Sequence, residues 1–385
     1  MIDSVAPEQE PAFFEVGSGD GQRRIAVRAR EGRAPGLFWL SGFNSDMQGT
    51  KAVALDAWAA EHGRACVRFD YSGHGESGGN FTDGTIGRWF EETLAAFTGS
   101  EAALVFATGY AANAGAITAL SGPGALIVSD GANHASIVDA CRLSRARVVV
   151  TPHRDTAAVT SALATRDEER ALVVTESIFS VDGDDAPLAE LADACRSYEA
   201  VLVVDEAHAL GVVGPDGRGL VAECEVGGDP DVVRTVTLSK ALASQGGAVV
   251  GSRALVDHLV NVARTFIFDT ALAPPAAGAA LAALRVLCAE PERTVAARQR
   301  AGELARALRV AAPAASVVPV PIGDAERAVR VQQACLEQGV LVGCFRPPSV
   351  PPGTSRLRLT GRATLQSAEL THATGAVLRA LAANP

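Results

Sequence analysis

From about residue 100 the sequence alternates short, almost wholly apolar segments with segments of helical character, and this alternation limits the possible fold most strongly. Residues 125–128, 171–175 and 201–204 are runs of Val, Leu, Ile and Ala with hardly a polar side chain among them. Strands that are apolar on both faces and separated by helices are typical of a mostly parallel sheet covered on both sides. The sequence therefore predicts an α/β domain over residues 91–275.

Polar residues follow these apolar runs at the points where the strands are predicted to end. They are Thr108, Asp130, Glu176, Asp205 and Lys240. In a parallel sheet the carboxyl ends of the strands lie at one edge, and ligands bind there. We therefore expect these side chains to form one site.

Lysine is scarce in this chain. Lys and Arg together number 34, yet only Lys51 and Lys240 are lysines. Arginine carries a charge equally well, but its guanidinium stays protonated and cannot form a Schiff base with an aldehyde. Lys240 follows the strand-like residues 232–238 and precedes small residues such as Gly246. Although an average lysine is a surface residue, we interpret Lys240 as a required amine beside a loop with room for a ligand.

Other polar residues near predicted strand ends suit the binding of an aromatic cofactor. Asp205 follows a buried strand, and such a carboxylate can hold a pyridine-type nitrogen protonated. His208 could then reach a phenolic oxygen; a helix cap with a hydrogen-bonded histidine is the alternative. His134 opens a helix at another strand end, where its flat ring could stack on a cofactor. Gly109 and Tyr110 open a small-residue helix whose N–H groups could hold a phosphate.

Together these motifs resemble the α-oxoamine synthases, pyridoxal-phosphate (PLP) enzymes of the aspartate-aminotransferase fold. The resemblance implies a PLP-dependent transferase fold, with a PLP-binding large domain over residues 91–275 and a smaller α+β domain over residues 276–385. It also implies PLP as the cofactor and a homodimer. The segments that carry it are residues 108–110, 129–136, 178–184, 204–208, 237–240 and 346–360.

The resemblance also assigns roles at the site. Lys240 would bind the cofactor aldehyde as a Schiff base and later move protons at the substrate Cα. Asp205 would pair with the pyridine nitrogen, His208 would bond the ring hydroxyl, and His134 would stack on the ring. Arg358 would hold the amino-acid carboxylate, with Arg356, on the same strand face by the period of two, as the alternative. The remaining residues implied around the cofactor are Gly109, Tyr110, Ser180 and Thr237, and those near the substrate are Arg346 and Ser349.

The implied reaction is the decarboxylative condensation of an amino acid with an acyl thioester. The motifs match best those family members that condense L-alanine with pimeloyl-CoA or pimeloyl-carrier protein in biotin synthesis. Glycine or serine as the amino acid stays open. So does an inactive PLP-binding chain, because the N-terminal motifs of the family are not found in residues 1–90.

Residues 1–90 resemble the start of an α/β-hydrolase instead. Their predicted elements are a hairpin over residues 12–29 that turns around Gly17 to Gly21, a strand at 36–40 that ends in Ser41-Gly42-Phe43, a helix at 51–62 and a strand at 66–69. Residues 75–79 match the G-x-S-x-G pattern, but a nucleophile elbow requires a strand before it and a helix directly after it. The match lies in a glycine-rich loop, so Ser77 is not expected to be a nucleophile. A hydrolase remains the alternative class of enzyme.

Composition excludes several other functions. The net charge is −10 and no basic stripe is visible, which argues against a nucleic-acid partner. No apolar segment approaches the roughly 20 residues of a membrane helix, and the N-terminus lacks the pattern of a signal peptide. The seven scattered cysteines indicate buried thiols in a reducing compartment and neither a disulfide frame nor a metal site. We expect a cytoplasmic protein.

Overall fold

The structure is a computed structural model, and it describes residues 10–16, 23–40, 46–70, 73, 75–79 and 86–385. The chain divides into two compact units, Met1–Phe90 and Glu91–Pro385. The predicted further boundary near residue 275, where α10 begins at Pro274, stays a prediction.

The first unit contains a four-stranded sheet in the order β1-β2-β4-β3. β1 and β2 are antiparallel, as the predicted hairpin requires, and β3 and β4 are parallel with α1 between them in the chain. The Gly17–Gly21 turn and the Ser41–Phe43 loop lie outside the described residues. The elements are β1 (Ala12–Val16), β2 (Arg23–Arg30), β3 (Arg33–Leu40), α1 (Thr50–Glu61) and β4 (Arg64–Phe69).

Asp70 and Ser77 hold the loop after β4 by hydrogen bonds to backbone groups. The buried Asp70 carboxylate accepts hydrogen bonds from the N–H groups of Met47 at 2.6 Å and Glu76 at 2.9 Å. The Ser77 hydroxyl donates to the Asp70 carbonyl at 2.7 Å and accepts from the Ala26 N–H at 2.9 Å. Both bonding capacities of this hydroxyl are therefore used to join backbone segments, in agreement with the expectation that Ser77 is not a nucleophile.

The second unit is built on a seven-stranded sheet in the order β5-β11-β10-β9-β8-β6-β7. β11 is antiparallel to β5 and β10, and every other pairing is parallel. Residues 238–246 join β10 to β11 as a loop, and only an antiparallel pair can be joined without a crossover. The strands are β5 (Ala102–Phe106), β6 (Ala125–Asp130), β7 (Arg147–Thr151), β8 (Arg170–Glu176), β9 (Val201–Asp205), β10 (Val232–Thr237) and β11 (Gly247–Gly251).

Helices cover both faces of this sheet. Alternate residues of one strand point to opposite faces, so Leu126 belongs to one buried cluster and Ile127 to the other. This two-sided burial is the reason for the continuous apolar runs. The covering helices are α3 (Gly109–Leu120), α4 (Ala135–Ser144), α5 (Thr156–Ala164), α6 (Leu188–Ser197), α7 (Leu220–Glu223), α8 (Arg253–Val262) and α9 (Arg264–Ile267). Two further helices are α2 (Ile86–Thr98), which spans the boundary of the two units, and α10 (Pro274–Ala289).

The C-terminal part has a separate antiparallel sheet in the order β12-β14-β13. Its core includes Leu304, Val318, Val331, Leu357 and Val377. The resemblance implied a smaller α+β domain here without placing its elements, and sequence analysis did not predict β13, α12 or α8. The elements are α11 (Glu292–Leu308), β12 (Val317–Gly323), α12 (Ala325–Glu337), β13 (Gly343–Phe345), β14 (Ser355–Thr360) and α13 (Ser367–Ala383).

Two kinds of feature are absent from the part of the chain that the structure describes. Its helices include none with the length and apolarity needed to cross a bilayer. Its His, Cys, Asp and Glu side chains nowhere gather in threes as a metal-ligand set.

Candidate active site

A cavity of about 230 Å³ lies where β9 and β10 end and α3 begins. Of the strand-end residues expected to meet, Thr108, Glu176, Asp205 and Lys240 line it. Asp130 does not, so that part of the expectation is wrong. Of the eight residues predicted around the cofactor, seven line the cavity: Gly109, Tyr110, His134, Asp205, His208, Thr237 and Lys240.

Lys240 lies in a tight turn that begins where β10 ends. The Leu238 N–H donates to the Gly246 carbonyl at 3.0 Å, and the Ser244 N–H donates to the Leu238 carbonyl at 2.8 Å. Gly246 has a φ of +116°, and a Cβ there would lie 2.9 Å from Leu238 Cδ1. The turn therefore requires glycine at this position and fixes the backbone that carries Lys240.

The Lys240 side chain lines the cavity and is exposed there. Burial lowers the pKa of Lys240, and Arg358 adds to this effect; the Asp205 carboxylate opposes it. The amine is therefore more often neutral than an ordinary lysine, as nucleophilic attack on an aldehyde requires.

Asn113, which sequence analysis missed, holds Asp205 in place. Its Nδ2 donates to Asp205 Oδ2 at 2.7 Å and to Ser136 Oγ at 2.9 Å, and its Oδ1 accepts from Thr235 Oγ1 at 2.6 Å. Asp205 Oδ1 accepts from the Ala207 N–H at 2.9 Å. Each carboxylate oxygen thus has a fixed donor. The one signal in the sequence is an amide side chain within a helix made mostly of small and apolar residues.

His134 is the N-cap of α4, and its ring is neutral. Nδ1 lies 3.2 Å from the Ser136 N–H donor and 2.8 Å from Ser136 Oγ, which already accepts from Asn113. Nδ1 therefore acts as the acceptor, and the ring proton is on Nε2. Burial lowers the pKa of His134, nearby cations add to this, and Asp205 partly offsets it.

His208 is also neutral. Burial, helped by Lys240, Arg358 and His134, lowers the pKa of His208 to about 3. A neutral imidazole can donate one hydrogen bond and accept another, which suits a partner that is a phenolic oxygen.

Glu176, identified in the sequence only as a strand end, is a buried acid at the cavity wall. Its Oε2 accepts from the Ser180 N–H at 3.1 Å, whereas Oε1 has no hydrogen-bond partner among the described residues. Burial, together with the charge of Asp205, raises the pKa of Glu176 to about 8. The side chain is therefore protonated at neutral pH and has one oxygen left to bond a ligand.

The two candidate arginines on β14 have different surroundings. Arg358 Nη1 donates to the Ser180 carbonyl at 2.7 Å, and Arg358 lines a second cavity together with Lys240 and His208. Arg356 instead forms an ion pair with Asp182. This arrangement favours Arg358 for the amino-acid carboxylate.

Three predicted residues lie outside both cavities. Ser180 contacts Glu176 and Arg358 without lining the cofactor cavity. Arg346 and Ser349 are exposed in the loop after β13 and line neither cavity. Their proposed roles remain predictions.

The cavity has the groups that PLP requires. The first-turn N–H groups of α3 have no partner within the helix, and such groups bind phosphate. A Cβ on Gly109 would lie 3.2 Å from Thr237 Cβ, so glycine keeps the start of α3 close to the end of β10. Asp205 supplies a fixed carboxylate, Lys240 an amine, and Glu176 an orphaned oxygen.

The motifs and the cavity agree with known proteins. The family model of class I and II aminotransferases matches residues 37–377. An 8-amino-7-oxononanoate synthase from Mycobacterium sp. (strain JLS) is 60% identical over 301 residues, which cover 77% of this chain and 79% of that protein. The chain belongs to the 8-amino-7-oxononanoate synthase family.

Solved structures support the fold and the cofactor. A serine palmitoyltransferase variant with PLP is 31% identical, covers 77% of this chain and 77% of its own, and has a TM-score of 0.73. An 8-amino-7-oxononanoate synthase from Francisella tularensis has a TM-score of 0.67 over 91% of this chain and 99% of its own; at 22% identity it shows the fold alone. With the chemistry of the cavity, membership of the synthase family identifies PLP as the cofactor.

Asp130 belongs to a separate cluster centred on His153. His153 Nδ1 lies 2.9 Å from Asp130 Oδ1, and Nε2 lies 2.8 Å from Asp184 Oδ2. The ring packs edge-on against Phe179, with centroids 4.3 Å apart. The bonds to Asp130 and Asp184 outweigh burial and raise the pKa of His153 to about 9.

The stability of the fold is expected to depend on pH through this histidine. Because the pKa of His153 rises from 6.5 to about 9, its stabilising contribution is fully present below pH 6.5 and is lost as the pH rises through about 9. We expect His153→Gln to lower Tm by roughly 2–4 °C near neutral pH and by little at high pH. Calorimetry of the wild type and of His153→Gln from neutral to high pH measures the gap between their two Tm values. A gap that widens with pH would contradict the prediction.

Proposed function

We propose that this chain catalyses the PLP-dependent condensation of L-alanine with a pimeloyl thioester, forming 8-amino-7-oxononanoate for biotin synthesis. The observation that carries the proposal is the Lys240 amine, with its lowered pKa, in one cavity with the fixed Asp205 carboxylate. The 60% identity to an 8-amino-7-oxononanoate synthase supports the substrates.

PLP, when bound, supplies an electron sink that stabilises negative charge at the amino-acid Cα. Asp205, held by Asn113, keeps the proton on the pyridine nitrogen. The neutral His208 would hold the ring hydroxyl of the cofactor, and His134 would lie against its ring. The start of α3, at Gly109 and Tyr110, binds the phosphate with its free N–H groups.

Lys240 removes and returns the proton at the substrate Cα. A lowered pKa brings the amine closer to the working pH, which favours proton transfer in both directions. The protonated Glu176 carboxyl donates a hydrogen bond to the reacting amino acid through its unpartnered oxygen. Arg358 binds the amino-acid carboxylate, and Ser349 and Arg346 approach the substrate from the loop after β13. In the balanced reaction, one bond forms between the alanine Cα and the acyl carbon. Two bonds break: the thioester C–S bond, which releases the thiol, and the bond from Cα to the carboxylate carbon, which releases CO₂.

We infer that the chain acts as a homodimer in the cytoplasm. Several large apolar side chains of the second unit are exposed, including Leu143 at 63%, Val150 at 67% and Phe268 at 72%. Burial of these side chains against a second copy of the chain would remove them from water, which favours association. Size-exclusion chromatography with light scattering measures the assembly.

The reaction is tested by thiol release from pimeloyl-CoA. With PLP bound, we expect release to depend on L-alanine and to be accompanied by CO₂. Glycine and serine are the matched co-substrates, and we expect each to react at least about tenfold more slowly, as selection between similar substrates typically allows. Release without any amino acid would indicate a hydrolase instead. No release with any of the three would refute the synthase activity.

A further inference from the structure

A second, larger cavity adjoins the cofactor cavity. Its volume is about 620 Å³, within the roughly 300–1,000 Å³ typical of small-molecule pockets. The two cavities share Ala207, His208 and Lys240 as lining residues. A molecule that reacts beside Lys240 can therefore extend into the larger cavity.

The walls of the larger cavity suit an alkyl chain. Leu210, Val212, Leu287 and Ala297 line it, two of them from α10 and α11. Contact with these side chains removes methylene groups from water, which favours binding without selecting any particular end group. Selection must come from the polar residues of the cavity.

The charged residues of this cavity are all cations. Its described lining includes Lys240, Arg293, Arg358 and Arg362 and no carboxylate. Lys240 and Arg358 are assigned to the cofactor and the amino acid. Arg293 Nη2 is bound to Glu290 Oε2 at 2.6 Å. Arg362 is the cation that these roles leave unassigned.

Arg362 follows β14 in a loop whose backbone is firmly held. The Gly361 N–H donates to the Ser316 carbonyl at 2.8 Å, and the Leu365 N–H donates to the Arg362 carbonyl at 3.0 Å. A Cβ on Gly361 would lie 2.6 Å from Ala301 N, so this backbone packs directly on α11. The exposed Arg362 guanidinium has no hydrogen-bond or ion-pair partner within the described ranges of the chain. A positioned arginine that lacks a partner suits an anionic ligand.

We propose that Arg362 is a specificity-determining residue that binds the distal carboxylate of a dicarboxylic acyl group. The alkyl chain of the acyl group would lie along the apolar walls, with its thioester end beside Lys240. The position of the thioester end rests on the proposed function. A guanidinium can bind a carboxylate through two parallel hydrogen bonds. A monocarboxylic acyl group of the same length would gain only the apolar contacts.

The test measures binding separately from turnover. Calorimetric titration of the PLP-loaded full chain compares pimeloyl-CoA with heptanoyl-CoA, which has the same number of acyl carbons but no distal carboxylate. We expect the wild type to bind pimeloyl-CoA about tenfold more tightly, the scale of a partly exposed charged hydrogen bond. Arg362→Gln should remove this preference, and Arg362→Lys should keep part of it.

Arg293→Gln is the matched control, because this arginine lines the same cavity but is already paired with Glu290. It should keep the preference within about twofold. A wild type without a preference, or an Arg362→Gln variant that keeps it while melting at the wild-type temperature, would overturn the proposal.

Thiol release with alanine distinguishes the two claims. A wild type that shows the Arg362-dependent preference but releases no thiol would support the recognition of the acyl group and contradict the proposed reaction. Thiol release together with an Arg362→Gln variant that keeps the preference for pimeloyl-CoA would support the proposed reaction and contradict the role of Arg362.

Discussion

Replacement of Lys240 by arginine is expected to lower kcat by at least about 10³-fold, within the range that a lost acid–base group costs. Arginine keeps the positive charge and much of the length, but its guanidinium stays protonated and cannot form a covalent bond with an aldehyde. Lys240→Ala should lose a similar amount. The loss should appear in thiol release from pimeloyl-CoA with alanine, while the melting temperature remains close to that of the wild type.

The scarcity of lysine provides the control for this experiment. Lys51, on the exposed surface of α1, is the one other lysine of the sequence. Borohydride reduction of the PLP-loaded protein, followed by peptide mapping, should place the label on Lys240. Lys51→Arg should leave labelling and turnover unchanged. Label on Lys51, or an Lys240→Arg variant with turnover near that of the wild type, would disprove the assignment.

The Asp205→Asn variant is expected to lose about 10²–10³-fold in kcat, a loss of the size found when one preorganised electrostatic group is removed. The amide has nearly the shape of the carboxylate but carries no charge, so it cannot keep the pyridine nitrogen protonated. Asn113→Ala should cost less, about tenfold, because the carboxylate remains and loses one of its two fixed donors.

Asp130→Asn is the matched control for Asp205. Asp130 ends strand β6 as Asp205 ends β9, but its carboxylate bonds to His153 and the Ala132 N–H, away from the cofactor cavity. We expect it to lower the melting temperature and to change kcat by less than about threefold. An Asp205→Asn variant within threefold of the wild type would show that the carboxylate does not act on the cofactor.

The fold was largely predictable because burial on both faces leaves a strong pattern. The strands β6, β8 and β9 are short, buried and largely apolar runs, and the polar residue at the end of each marks where it stops. The missed elements lack this pattern. Helix α12 buries Ala328, Val331 and Cys335 but exposes Val329 and Leu336, so its apolar residues do not mark one buried face. Strand β13 has three residues, none of them fully buried.

The predicted site was incomplete for a different reason. Asn113 was not recognised as a site residue because it stands in no motif of its own, and Glu176 was expected at the site only as a strand-end residue, without a role. Asn113 acts through Asp205, which is 92 residues further along the chain. The pKa of Glu176 is raised mainly by burial, and burial depends on how the strands assemble.

The sequence by itself determined the chemistry of this protein. The chain has two lysines and places carboxylate and imidazole groups at strand ends. Lys240, Asp205, His208 and His134 could therefore be proposed as site residues from what each side chain can do. The tertiary structure decided which groups act together. Arg356 and Arg358 share one face by the period of two, and only the position of β14 places Arg358 beside Lys240 and Arg356 beside Asp182. Side-chain chemistry is a local property that the sequence states directly, whereas distance, burial and pKa arise only when distant segments pack.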